Sequence, residues 1–210
     1  MVGSQDSISQ PNVVLNTIVA EAFKEACDVL ENADDFDKAL HDLIKKQATE
    51  HQRIIFNGDG YSEAWIEEAA RRGLPNIPSM VDAIGALTTD KAVKLFEDFG
   101  VFTEAELKSR AEVLYENYAK EINIEARAMI NIASKSLIPA VIKYITSLAE
   151  SVNAVKAACD CDISVQTDLL KDCSALLAQA KTALSQLEKV TDAGLEMEDG
   201  KARAEYYRDV

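Results

Sequence analysis

"LKSRAEVLYENYAKEINIEARAMINIASKSLIPAVIKYITSLAESVNAV", residues 107 to 155, is the stretch on which the fold turns. Leu107, Ala111, Leu114, Tyr118, Ile122, Met129, Ala133 and Leu137 recur at helical spacing, and Thr103 with Glu106 forms a capping box ahead of them. Beyond Pro139 the stripe resumes at Ala140, Tyr144, Leu148, Val152 and Val155. A proline in a helix interior removes a hydrogen bond and crowds the preceding turn. The pattern therefore predicts a kink near residue 136, or two helices meeting there. "CDCDIS", residues 159 to 164, reads as a turn. After it Leu169, Cys173, Leu176, Ala180, Ala183, Leu187 and Val190 alternate steps of four and three. That is a heptad seam suited to antiparallel packing against the long helix.

Upstream, Pro11 and Asn12 precede a stripe of Val14, Ile18, Val19, Ala22, Phe23, Ala26 and Leu30. "NADD" interrupts it, and Asp34 or Asp35 can cap a second helix carrying Phe36, Leu40, Leu43 and Ile44. The two read as an antiparallel hairpin. "HQRIIFNGDGYSEAWIEEAARRGLPN", residues 51 to 76, breaks the helical pattern. "RIIF" is an extended connector. Asn57-Gly58 and Asp59-Gly60 suit backbone positions of positive φ. Ser62 is an N-cap, Arg71 and Arg72 fall in a last turn, Gly73 takes the position after it, and Pro75 prevents continuation. Ser79 with Asp82, then Thr89 or Asp90, start short helices, the second ending at Gly100. Past the seam, "DAGLEMEDGK" is an acidic break and "ARAEYYRDV" begins a further helix. Only residues 55 to 60 lack helical character. The fold class is mainly α: a helical bundle with a long proline-kinked antiparallel hairpin and a glycine-rich turn insertion.

The 210 residues carry 22 Lys plus Arg against 36 Asp plus Glu, a net charge of −14. Such a surface repels phosphates and anionic lipid, so neither nucleic acid nor membrane is an expected partner. No apolar run is read as long enough to cross a bilayer, and the N-terminus lacks a basic-then-apolar leader. Cys27, Cys159, Cys161 and Cys173 have no disulfide-framework spacing, which points to a reducing cytoplasm.

The chemistry-bearing patterns are thin. An EF-hand register through Asn57, Asp59 and Gly60 puts Ile55 and Ile66 at the end ligand positions, where neither binds calcium. No Walker loop or dinucleotide fingerprint is present, although amides from Gly58 to Ser62 can form a small anion-binding concavity. Cys159-x-Cys161 lacks the second pair a zinc site needs, and Cys27 and Cys173 read as small core residues. His41 and His51 read as surface or interface side chains. The carboxylates are spread over helix faces. The residues themselves display no catalytic, cofactor or metal site.

Four segments taken together resemble a known family. "MVGSQDSISQPNVVLNTIVAEAF", residues 51 to 76, "LFEDFGVFTEAELKSRAEVLYENYAKEINIEARAMINIA" and "AEYYRDV" are similar, in order, to the C-terminal region of type III glutamine synthetases. Ser9-Gln10-Pro11-Asn12 stands where the wider family carries a turn into a helix. The resemblance implies a parent ligase that makes glutamine from glutamate, ammonia and ATP with Mg²⁺ or Mn²⁺, its chemistry housed upstream. It implies that residues 1–23 are the tail of the catalytic domain plus the first helix, with Ser4, Ser7 and Asn12 near the site. Residues 24–210 are then a C-terminal helical domain, stopping before the family's last helix. No cofactor is expected in this chain. The implied partners are the parent's catalytic domain and neighbouring subunits, in a cytoplasmic oligomer. Within that frame Asn57, Gly58, Asp59, Gly60, Tyr61 and Trp65 are the candidate interface, because the turn is glycine-dense and carries two large aromatics. A stand-alone helical interaction module is the alternative.

Overall fold

The structure, a computed structural model, describes residues 7–210. Among these there is no strand. In chain order the helices are α1 (Ser9–Leu30), α2 (Phe36–Glu50), α3 (Glu63–Arg71), α4 (Met80–Ile84) and α5 (Asp90–Asp98), followed by α6 (Glu104–Ile132), α7 (Ile138–Ala158), α8 (Ser164–Leu195) and α9 (Gly200–Asp209). The chain forms two compact units, one through Ala111 and one from Glu112 onward, the division falling inside α6. Ser4 lies outside the described residues.

In the first unit the local signals act where they are written. Asp35, Ser62, Ser79 and Thr89 each accept a backbone N–H at the start of α2, α3, α4 and α5. Thr103 and Glu106 satisfy each other's amides at 3.3 and 2.8 Å, the reciprocal box expected there. Gly73 and Gly100 hold φ of +68° and +62° past α3 and α5. In each case the next residue's amide reaches back to a helix carbonyl at 2.9 Å, closing the helix end. α1 begins at Ser9, so Pro11 sits in its first turn rather than ahead of it. There the missing N–H costs nothing. α1 packs on α2 and α5. The core of this unit is Val81, Ile84, Phe96, Leu107 and Ala111. Phe102 lies beside Phe96, with Arg110 4.1 Å from its ring centre. On α1 only Thr17 is buried, its hydroxyl bonded to the Val13 carbonyl, while Ile18, Val19 and Phe23 of the expected stripe are exposed.

In the second unit α7 and α8 pack as an antiparallel hairpin across the turn at 159–163. Pro139 does not break the helix. A π turn over Ala133–Leu137 precedes it, and the Ile138 amide bonds back to the Ala133 carbonyl. The widened turn makes room for the proline ring, and helix runs without interruption from Glu104 to Ala158, 55 residues. The expected seam is corrected here. The five-residue step brings Ile138, not Leu137, to the partner helix, and Val141, Ile145, Leu148, Val152 and Val155 follow. Leu137 and Tyr144 are left outside, 59% and 51% exposed. On α8 the covered apolar and small positions include Leu170, Cys173, Leu177, Leu184, Leu187, Val190, Thr191 and Gly194, so Cys173, Leu187 and Val190 of the expected seam are covered. Leu169 and Leu176, one position earlier, are exposed. The expected acidic break is also shorter: α8 runs on through Leu195, and Asp199 then caps α9 by accepting the Ala202 amide.

α9 folds back on α8. Tyr207 is buried, its hydroxyl donating to the Thr191 carbonyl at 2.9 Å, and its ring lies where a side chain on Gly194 would be. Thr191, 1% exposed, bonds its own hydroxyl to the Leu187 carbonyl. Arg203 donates to the Met197 carbonyl just past the end of α8. An exposed pair, Arg127 with Asp192, ties α6 to α8.

One helix among the described residues, Glu104–Ala158, is long and apolar enough in one window to cross a membrane, with mean hydropathy 1.2 and none of that window buried. This amends the expectation that no run approaches that length. Lys135 and Lys143 lie in the same apolar region.

Candidate functional site

The turn between α2 and α3 is built around a ring stack. A 3-10 turn at Gln52–Ile54 ends α2, and Ile55 is extended. Phe56 then stacks on Trp65 with ring centres 4.3 Å apart. Arg72, seven residues along α3 from Trp65, lies 5.8 and 5.9 Å from the two ring centres. Its guanidinium donates to the carbonyls of Ile55, at 2.8 Å, and Arg53, at 3.2 Å. It also pairs with Glu68, which Arg71 grips with two bonds of 2.7 Å. Those hydrogen bonds, Arg71's first and Arg72's next, hold the Glu68 carboxyl below the usual carboxylate range. Arg72 thus fastens the start of the turn to the end of α3.

The glycines act differently from expectation. Among described residues only Gly73 and Gly100 have positive φ, so Gly58 and Gly60 do not use that freedom. Gly58 is there for space: a Cβ would meet the Phe56 ring at 2.5 Å. A Cβ on Gly60 would meet nothing within 4 Å. Asp59 orders the second half of the turn. Its carboxylate accepts the Tyr61 amide at 2.9 Å and its carbonyl accepts the Ser62 hydroxyl at 2.8 Å. Ser62 in turn caps α3 at the Trp65 amide.

All six candidate interface residues therefore lie in one ordered loop. Asn57, Gly58, Asp59, Gly60 and Tyr61 are exposed, Tyr61 by 89%, whereas Trp65 is half-buried and has one face taken by Phe56. Sequence reading missed Phe56 and Arg72. The signal for them was the helical spacing of Trp65 and Arg72 together with an aromatic just before the first glycine.

The other candidates do not converge. His41 and His51 are exposed. Cys159 and Cys161 are exposed at the α7–α8 turn and bonded to each other as a disulfide, Cα atoms 5.4 Å apart, which removes the support that cysteine spacing lent to a reducing compartment. A three-residue loop segment brings two thiols together without any framework. Cys27 and Cys173 are free and half-buried. Among described residues no three His, Cys, Asp or Glu side chains converge to hold a metal ion.

The family of the glutamine synthetase C-terminal domain matches residues 39–156, a span that includes the turn and runs to the end of the long helix. The type-3 glutamine synthetase of Dictyostelium discoideum is 38% identical over 157 residues, 73% of this chain and 21% of that protein. The glutamine synthetase of Butyrivibrio fibrisolvens is 33% identical over 177 residues, 84% of this chain and 25% of its own. That of Bacteroides fragilis (strain YCH46) is 31% identical over 158 residues, 73% and 22% respectively. The chain spans between 21% and 25% of the length of these relatives. A domain match over more than half of an all-helical chain, and relatives aligned through most of it, give the same answer: the chain belongs to the glutamine synthetase family, as the C-terminal helical region of the type III kind.

Proposed function

We propose that this chain is the accessory C-terminal region of a type III glutamine synthetase, a cytoplasmic ATP-dependent glutamate–ammonia ligase. Its role is to support assembly of the enzyme, and it has no turnover of its own. The observation that carries the reading is the domain match over residues 39–156 in a chain that spans 21–25% of its relatives. The Mg²⁺ or Mn²⁺ that the ligase requires is placed outside this chain. Those ions and ATP belong to the catalytic portion, together with residues 1–23 as its tail.

Within the accessory region, the Asn57–Trp65 turn contacts the catalytic domain or a neighbouring subunit. Tyr61 supplies the exposed ring, and Phe56, Trp65 and Arg72 hold the loop rigid behind it. The test assays glutamine formation by the purified chain and by the complete enzyme carrying Tyr61→Ala. The chain alone is expected to be inactive, and the variant enzyme to lose assembled mass before it loses activity per assembled particle. Turnover by the isolated chain would sink the reading. Loss of catalysis with assembly intact would move the turn from the interface to the chemistry.

A further inference from the structure

We propose that the Cys159–Cys161 pair at the tip of the α7–α8 hairpin is a thiol–disulfide exchange site, opened by a neutral or cationic thiol and closed again by the corresponding disulfide. The inference stands on that loop and not on the family reading. The two cysteines are two residues apart and disulfide-bonded. A bond across so short a loop removes little freedom from the unfolded chain, so it adds little to stability. Nor does it tie one helix to the other, since both sulfurs belong to the connection between them. The ends of that connection are fastened by other bonds. The Cys159 amide donates to the Val155 carbonyl at 3.0 Å, closing α7, and the Asp162 carboxylate accepts the Ser164 amide at 2.9 Å at the start of α8. Packing along α7 and α8 holds the rest of the hairpin. Opening the disulfide therefore leaves the fold in place.

Attack by a thiolate needs a sulfur that can be approached in line with the bond it breaks. Every residue from Lys156 to Asp162 is exposed, and the neighbours on the α7 side, Ala157 and Ala158, are too small to screen the sulfurs. Cys27 and Cys173, free but half-buried on α1 and α8, lack this access. The exchange balances with the thiol as the one co-reactant. An incoming thiolate attacks one sulfur, forms a mixed disulfide with it and expels the other as a thiolate, which takes up a proton. A second thiolate attacks the reagent's sulfur in the mixed disulfide, expels the remaining cysteine, which is also protonated, and leaves as the reagent's own disulfide. Two electrons and two protons pass from two thiols to the pair. Charge selects the reagent. Asp160 lies between the cysteines and Asp162 follows them, in a chain of net charge −14. An anionic thiol is repelled from the sulfurs, and one on a neutral or positive carrier is not.

The test treats the 210-residue chain, and the complete enzyme, with millimolar cysteamine or 3-mercaptopropionate at low salt, then alkylates and locates the thiols by mass spectrometry. In cysteamine the thiols of the chain are expected to rise from two to four, the new ones at Cys159 and Cys161, at unchanged helix content. Cystamine should reverse the change. Asp160→Asn with Asp162→Asn is expected to lower the ratio of the cysteamine rate to the mercaptopropionate rate about threefold, the size of two carboxylates acting through water. Asparagine still caps α8, so the double variant keeps its fold. Cys161→Ser, which keeps one exposed thiol and no partner to resolve it, should hold cystamine's half as a mixed disulfide that the wild type expels. A pair that stays closed until urea is added, helix lost on opening, or a rate ratio untouched by the asparagines would overturn the proposal. So would a pair that opens in the chain and stays closed in the complete enzyme. None of those results touches the accessory-region reading, which falls only if the chain alone makes glutamine.

Discussion

At the scale of single residues, Gly194 and Tyr207 form the tightest fit in the second unit. In an open helix Gly→Ala stabilises by about 1 kcal/mol. Here the added Cβ would meet the Tyr207 ring at 2.4 Å. Gly194→Ala is therefore expected to destabilise by about 1–3 kcal/mol, the usual cost of overpacking, with a matching fall in urea midpoint. If the midpoint rises instead, the ring is not seated as described. Tyr207 also sets an alkaline limit. Burial, the largest influence on it, raises its phenol above the ordinary value near 10. The folded state thus prefers the neutral phenol. Its contribution is complete below the ordinary tyrosine range and is lost as pH rises through the raised value. The urea midpoint should fall in that alkaline window, and Tyr207→Phe should make the fall shallower, at a cost of about 1 kcal/mol for the lost hydrogen bond.

Among the helices, Pro139 and the π turn before it make the clearest case. An interior proline in a regular helix costs about 3 kcal/mol or more. The wide turn has already relieved the clash, and the Ser134 hydroxyl bonds the Ile130 carbonyl at 2.6 Å within it. Pro139→Ala is expected to gain about 1 kcal/mol, less than the full proline cost, in urea denaturation followed by circular dichroism. The same turn shows where sequence reading stops. Caps at Asp35, Ser62, Thr89 and Thr103, and helix ends at Gly73 and Gly100, were legible because each depends on residues within a few positions. The seam register was not. On α8, Leu169, Leu176 and Ala183 form as regular a heptad with Cys173, Ala180 and Leu187 as do Leu170, Leu177 and Leu184. Periodicity alone cannot choose between two apolar flanks. On α6 and α7 one extra residue in a turn moves every later side chain around the axis. The candidate turn was found for a composition reason that holds only in part. Gly58 answers to the Phe56 ring, a contact of shape that spacing rules do not express.

For the molecule as a whole, the charge excess dominates. The ion pairs are mostly exposed i to i+3 or i+4 contacts, screened by solvent and of little weight in the fold's stability. Against them stands the self-repulsion of a net −14. Raising ionic strength from low to physiological values screens both, but the repulsion is longer-ranged and loses more. Thermal midpoints are expected to rise with salt at neutral pH; a fall would mean that the exposed pairs outweigh the repulsion. The ring stack has a practical consequence as well. Trp65 is the chain's single tryptophan, and five of the six tyrosines lie beyond Glu112. Red-edge excitation therefore yields an emission spectrum from one loop of the first unit alone, while tyrosine absorbance reads mainly the second. The polypeptide comes with two separate optical reporters and needs no dye to tell which half has melted.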